Sequence, residues 1–236
     1  MVPLEPIYFN IGGNVRQESL GTMENKIKAI REYAMEKLGS DRSGHDFYHV
    51  ERVAKIARSL AQQEGISDSS VIETASYLHD VIDDKVAGNV EKESEDLKKL
   101  LKKLDFTQES IDEIFDIIEN ISFSKELEVG KAKLTVAGEI VQDADRIDAL
   151  GAIGILRTAY YGGHTGSPLY DPNILPQEFK SKQAYRKKST VINHFYEKLF
   201  KLPEAMNTAA GKAEAQNRMD FMQEFLKRFY KEWNAE

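Results

Sequence analysis

The chain has 236 residues, with 32 Lys and Arg against 39 Asp and Glu, a formal net charge of −7 and no cysteine. An acidic balance excludes a general nucleic-acid binder, which needs a basic surface to neutralise phosphates, but it leaves room for one small anionic substrate at a local basic or metal-bearing site. Without cysteine there are no disulfides, thiolate zinc sites, iron–sulfur clusters or cysteine nucleophiles. No stretch approaches the roughly 18 apolar residues of a membrane span, and no basic-then-apolar secretory signal opens the sequence, so a cytoplasmic protein is expected.

Residues 1–22 carry Pro3, Pro6, Gly12, Gly13 and Gly21 with no period. They read as an N-terminal extension, a vector remnant or an upstream start. Periodicity then predicts a helix over 23–38, with Ile27, Ile30, Tyr33, Ala34 and Leu38 on one stripe. A second helix is expected over 45–65, with His49, Val53, Ile56, Ala57 and Leu60 at three-to-four spacing and Gly65 as its stop. Ser67 or Asp68 is expected to cap a third, over 71–82, whose apolar face is nearly continuous. A loop over 85–89 precedes an amphipathic surface helix over 90–104, rich in charge pairs, and another helix follows over 107–121.

Residues 136–150 again read as helical, with 153–161 continuing the same helix. Gly162, Gly163, Gly166, Pro168 and Pro172 predict an irregular stretch over 162–177, of the length that functional lids have. Two helices are expected at the C-terminus, over 179–202 and 203–233. No period-2 alternation is long enough for a sheet. The fold class is therefore all-α: one helical domain over 23–236, with its C-terminal part, about 179–236, packed as a subdomain or flap.

The five histidines are His45, His49, His79, His164 and His194. His79-Asp80 ends the most apolar helix, where a buried carboxylate is expensive unless it is paired or binds a metal; an Asp at a helix end beside a satisfied core histidine fits equally well. His49 lies on the apolar side of its helix. Asp145 and Asp148, three apart, share a face of the helix over 136–150, while Asp143 points elsewhere; an Asp145–Arg146 ion-pair network is the structural alternative. Three helices thus each bring His or Asp from an otherwise apolar face. Two imidazoles and two carboxylates suit manganese, iron, cobalt, nickel or zinc better than calcium or magnesium. A bound metal would lower the pKa of its water and neutralise phosphate charge.

The order His49-x-x-Arg52-Val53, His79-Asp80-x-x-Asp83-Asp84 and Asp143-Ala144-Asp145-Arg146 resembles the HD-domain superfamily of metal-dependent phosphohydrolases. The stretches HDFYHVERVAKIA, ISFS, VQDADRIDALGAIGILR and HFYEKLFKLPEAMNTAAGKAEAQNR are similar to its bacterial YedJ/YpgQ-type subgroup, from Met23 to near the C-terminus. The resemblance implies one divalent transition metal, manganese first, held by His49, His79, Asp80 and Asp145. It implies hydrolysis of a nucleotide by a metal-activated water, a nucleoside triphosphate giving the monophosphate and pyrophosphate. Asp83 and Asp84 would orient or deprotonate that water. Asn120 stands where similar proteins carry a histidine, which favours a mononuclear site.

Phosphate needs cations, and the expected substrate contacts are Arg52, Arg146, His164, Lys198, Lys212 and Arg218, with Arg157 and Lys201 in the same basic set; ordinary surface charge is the competing reading. His194 reads as a packed core residue. A homodimer is kept open as a partner. The competing functions are a nucleoside monophosphatase, an alarmone hydrolase, a non-enzymatic metal- or nucleotide-binding module, and a helical scaffold with buried ion pairs.

Overall fold

The computed structural model describes residues 22–39, 46–83, 88–122, 125–126, 130–177 and 189–236. Among the described residues nine α-helices and two 3₁₀ turns are delimited, and there is no strand. The helices are α1 (Met23–Leu38), α2 (Phe47–Gln63), α3 (Ser70–Leu78), α4 (Val90–Lys103), α5 (Gln108–Asn120), α6 (Val136–Asp148), α7 (Gly151–Thr165), α8 (Val191–Glu197) and α9 (Ala209–Trp233). The 3₁₀ turns, Leu199–Lys201 and Pro203–Ala205, join α8 to α9. Residues 1–21, most of the expected loop over 85–89, Phe123 and Ser124 of ISFS, the start of the expected helix at Phe179, His45 and Asp84 lie outside the described residues.

Side-chain caps set most helix starts. Thr22, Asp46, Asn89, Thr107, Thr135, Thr190 and Thr208 each accept a backbone N–H from the first turn of the following helix, satisfying donors that have no partner within the helix. At α3 the N-cap is Ser69, which makes no side-chain cap bond; Asp68 instead accepts the Ser70 N–H at 2.9 Å.

The stripes read from periodicity are buried: Ile30, Ala34 and Leu38 on α1; Val53, Ala57 and Leu60 on α2; Leu97 and Leu101 on the charged helix α4. One contiguous core runs from Ile30 to Leu226. It includes Phe195, Leu199, Ala215, Met222 and Leu226, so the C-terminal helices share the core of the rest rather than carrying one of their own. Helix α2 packs against α3 and α6, and α9 lies across α6 and α7.

Several boundaries differ from the expectation: the helix expected over 71–82 stops at Leu78, and the one expected over 179–202 ends at Glu197, a 3₁₀ turn following it. The chain breaks between α6 and α7, at Ala149 and Leu150, and restarts at Gly151 with φ +72°; a single left-handed residue interrupts the helical run, and glycine alone adopts it freely. Helix α7 then runs through Gly162 and Gly163 to Thr165 and ends on Gly166. Gly162 is there for close approach, not for a turn: a Cβ on it would lie 2.3 Å from Cγ2 of Val191. The last helix begins at Ala209, not at 203, because the buried Asp143 carboxylate fixes its start. Asp143 accepts the Asn207 and Thr208 backbone N–H groups at 2.9 and 2.8 Å and the Thr208 hydroxyl at 2.8 Å.

Candidate metal centre

Helix α2 places His49 in its first turn, where the Asp46 carboxylate accepts the His49 backbone N–H at 2.8 Å. Helix α3 ends at Leu78, and the turn that follows carries His79 and Asp80, both buried. Helix α6 brings Asp145 and, one turn on, Asp148. Packing of α2 against α3 and α6 makes these side chains converge. Nε2 of His49 is 3.3 Å from Oδ1 of Asp145 and 3.5 Å from Oδ2 of Asp80. Nε2 of His79 is 3.5 Å from Oδ1 of Asp80 and 3.7 Å from Oδ1 of Asp145. The two imidazoles meet edge-on, with centroids 5.2 Å apart.

The donor set fits a cation. Nδ1 of His79 donates to the Ser76 carbonyl at 2.8 Å, so Nε2 carries the lone pair of the neutral ring. That nitrogen is buried and makes no hydrogen bond among the described residues, and its near neighbours are carboxylate oxygens. Lone pairs facing lone pairs in a buried site repel, and a positive charge between them removes the conflict. The spacing agrees: metal bonds of about 2.1 Å put neighbouring ligand atoms about 3.0–3.4 Å apart. His49, His79 and Asp145 each offer a ligand atom within 4.8 Å of the others, and Asp80 sits between the two rings. Asp145 is the open side, with 32% of its side chain exposed.

Without a metal, the site captures a proton. Burial opposes a charge on His49, yet hydrogen bonds with Asp145 and Asp148 outweigh it and raise the imidazole to about 9. Burial would raise Asp145, but the hydrogen bond from His49 brings it down to about 2. Asp148 is held well below the usual carboxylate range against its burial, by His49 and by Arg52.

Like Arg157 of the same basic set, Arg52 reaches the Asp148 carboxylate behind His49. It donates Nε and Nη2 to Asp148 at 2.7 and 3.0 Å and keeps 32% of its side chain exposed. Arg218 donates to Glu214 and to the Ile147 carbonyl at 2.7 and 3.0 Å. Arg146 is turned into the fold: its side chain is 4% exposed, and its guanidinium is paired with Glu126 and donates to the Ala205 carbonyl. His164 is exposed in the last turn of α7, Lys212 is exposed on α9, and Lys198 is half-buried at the end of α8. Asp83 is half-buried in the turn after Asp80, its N–H donating to the Asp80 carbonyl at 3.2 Å. Asn120 folds back onto its own helix, donating to Asp116.

Sequence reasoning passed over Asp148 as a functional residue. The only signal for it was its shared helix face with Asp145; that it lies directly behind His49, with Nδ1 of the ring at 2.8 Å, depends on how α2 and α6 pack.

Residues 46–150 match the HD domain family. The uncharacterized protein YpgQ of Bacillus subtilis is 33% identical over 207 residues, 88% of this chain and 93% of the relative. Its crystal structure in complex with ADP superposes with a TM-score of 0.71 at 28% identity, covering 89% of this chain and 96% of that one. A solved Lactobacillus plantarum protein is 45% identical with a TM-score of 0.77, covering 90% of this chain and 99% of its own. An HD-superfamily hydrolase from Bacillus thuringiensis is 40% identical with a TM-score of 0.73, covering 91% of this chain and all of its own. On the family match and on relatives aligned over nearly their whole length, the chain belongs to the HD-domain family of hydrolases, in its YpgQ-type branch.

Proposed function

We propose that the chain is a metal-dependent phosphohydrolase that cleaves a nucleoside triphosphate to the monophosphate and pyrophosphate. The observation that carries the reading is the buried Nε2 of His79, without a hydrogen bond among the described residues and ringed by the Asp80 and Asp145 carboxylates and His49. His49, His79, Asp80 and Asp145 would hold one divalent transition metal, a mixed nitrogen–oxygen set that suits manganese, iron, cobalt, nickel or zinc, with manganese first on the sequence resemblance. Such an ion supplies charge neutralisation for phosphate and lowers the pKa of a water. The nucleotide class is supported by YpgQ, whose structure was solved with ADP.

The remaining steps belong to the protein's own residues. Asp145, on the open side, faces the incoming phosphate. In the proposed reaction water oxygen adds to the α-phosphorus, the bond to the bridging oxygen of the β-phosphate breaks, and pyrophosphate departs. Asp83 is proposed to take the proton of the attacking water, supported by its place in the turn that carries Asp80; Asp84 is kept beside it on the sequence resemblance. Arg52, with Lys198, Lys212, Arg218 and His164 as further candidates, is proposed to contact phosphate, since guanidinium and ammonium groups match phosphate oxygens.

The test is a product-resolved assay. Chelator-stripped protein is reloaded separately with manganese, cobalt, nickel, zinc and magnesium and given nucleoside triphosphates, monophosphates and the alarmone, with Asp145→Ala as control. Pyrophosphate plus monophosphate, absent in the control, is expected. Orthophosphate plus nucleoside makes the protein a monophosphatase. Nucleotide binding without product under any metal makes it a binding module.

A further inference from the structure

Three helices meet on one carboxylate behind the ring of His49. Asp148 of α6 is buried, with 1% of its side chain exposed. Its Oδ2 is 2.8 Å from Nδ1 of His49 on α2. Arg52, also on α2, grips both carboxylate oxygens through Nε and Nη2 at 2.7 and 3.0 Å. Arg157 of α7 pairs with Oδ2 through Nη1, and the same Nη1 lies 2.9 Å from Nδ1 of His49.

The contacts of Nδ1 with Asp148 and with Arg157 exclude each other as hydrogen bonds. A guanidinium nitrogen only donates, and a carboxylate only accepts. If Nδ1 accepts from Arg157, the proton of the neutral ring sits on Nε2, which then has no lone pair for a cation. If Nδ1 donates to Asp148, Nε2 is bare. The partner of Nδ1 therefore decides whether His49 can be a ligand. A buried ion-pair cluster is not needed for stability alone, since apolar residues of the same volume often serve as well.

We propose that Asp148 is a positioning residue. Fixed by the bidentate fork of Arg52 and drawing the Arg157 guanidinium onto itself, it accepts the hydrogen bond from Nδ1–H of His49 and keeps Arg157 from donating there. Nε2 is thereby left open toward His79, Asp80 and Asp145. This inference rests on the cation-site reading above.

Zinc(II), being diamagnetic, is the probe. The full chain, Asp148→Asn, Arg157→Gln and the double variant are stripped with chelator. Zinc affinity is measured by calorimetry, and the protonated ring nitrogen of His49 is read from nitrogen–proton correlation spectra of the zinc-loaded protein. The wild type is expected to show His49 protonated on Nδ1. Asp148→Asn is expected to lose 10- to 100-fold in zinc affinity, as loss of a partner behind a metal ligand does, with the wrong tautomer populated, the effect known for an Asp behind a catalytic His. Adding Arg157→Gln to Asp148→Asn is expected to recover part of the affinity, because the competing donor is gone; a merely structural role predicts a further loss. Arg157→Gln alone keeps His49 protonated on Nδ1 and loses less than tenfold.

Wild-type affinity in Asp148→Asn overturns the proposal, and so does a shift of the His49 proton to Nε2 in Arg157→Gln, which decides the matter even where Asp148→Asn does not fold. Failure of the wild type to bind any divalent cation defeats the functional reading itself; wild-type binding that the variants leave unchanged defeats only the role of Asp148.

Discussion

The Asp46 carboxylate accepts the backbone N–H of His49 at 2.8 Å, so the residue that starts α2 also fixes the height at which its histidine enters the cluster. Asp46→Ala removes this cap and is expected to cost about 1 kcal/mol, the usual worth of an N-cap. Because the frayed turn carries His49, cation affinity is expected to fall severalfold as well. Urea unfolding and calorimetric cation titration check the two effects separately.

Asp143 and Asp145 are two residues apart on α6 and are expected to respond oppositely. Asp145→Asn is expected to abolish cation binding and turnover while leaving the circular dichroism unchanged. Asp143→Ala strands partly buried donors of Asn207 and Thr208 and is expected to destabilise by about 1–3 kcal/mol, the range for leaving such donors unsatisfied. The cation content of whatever Asp143→Ala protein folds is expected to match the wild type. Cation loss in Asp143→Ala with stability intact would reverse the two assignments.

Cation uptake should depend on pH with a definite sign. The metal-free site holds a proton on His49 up to about pH 9, and a cation must displace it. Apparent affinity is expected to rise with pH up to about 9 and then flatten, with about one proton released per cation near neutrality. Calorimetry in buffers of different ionisation enthalpy counts that proton.

Stability of the metal-free protein carries the same signature. His49, raised from 6.5, contributes stability that is whole below 6.5 and is lost as pH climbs through about 9. Asp145, lowered from 3.8, contributes stability that is whole above 3.8 and is lost as pH falls toward 2. The unfolding midpoint is expected to decline on the alkaline side, and His49→Gln to flatten that decline.

Gly162→Ala places a methyl group 2.3 Å from Cγ2 of Val191. A valine branch has little freedom to retreat, so α7 and α8 must separate. A destabilisation of about 1–3 kcal/mol, the range for overpacking, is expected by urea unfolding, where helix propensity alone predicts a gain.

Much of the fold was legible because it is written in short-range pattern. The apolar stripes of α1, α2 and α4 are buried as their periods require. His49, His79-Asp80 and the acids of α6 stand out because polar groups interrupt otherwise apolar helix faces; the choice of His49, His79, Asp80 and Asp145 as one set comes from the family resemblance, and packing brings these four together. What could not be read depended on packing across long stretches of chain. Gly162 looks like a turn residue until Val191 is seen against it. The start of α9 is set by Asp143, 66 residues upstream of Ala209, and no local signal at 203 announces that.

One backbone angle governs how α7 serves the metal centre. Arg157 follows Asp148 by nine residues, and along a continuous helix the two would be separated by about 13–14 Å of rise. The left-handed Gly151 folds the second helix back, and Arg157 lands on the Asp148 carboxylate. The electrostatic surroundings of His49 are thus set by the handedness of one residue that touches none of them. Residues of α7, across that break from the helix that carries Asp145, inherit a lever on cation binding through that hinge.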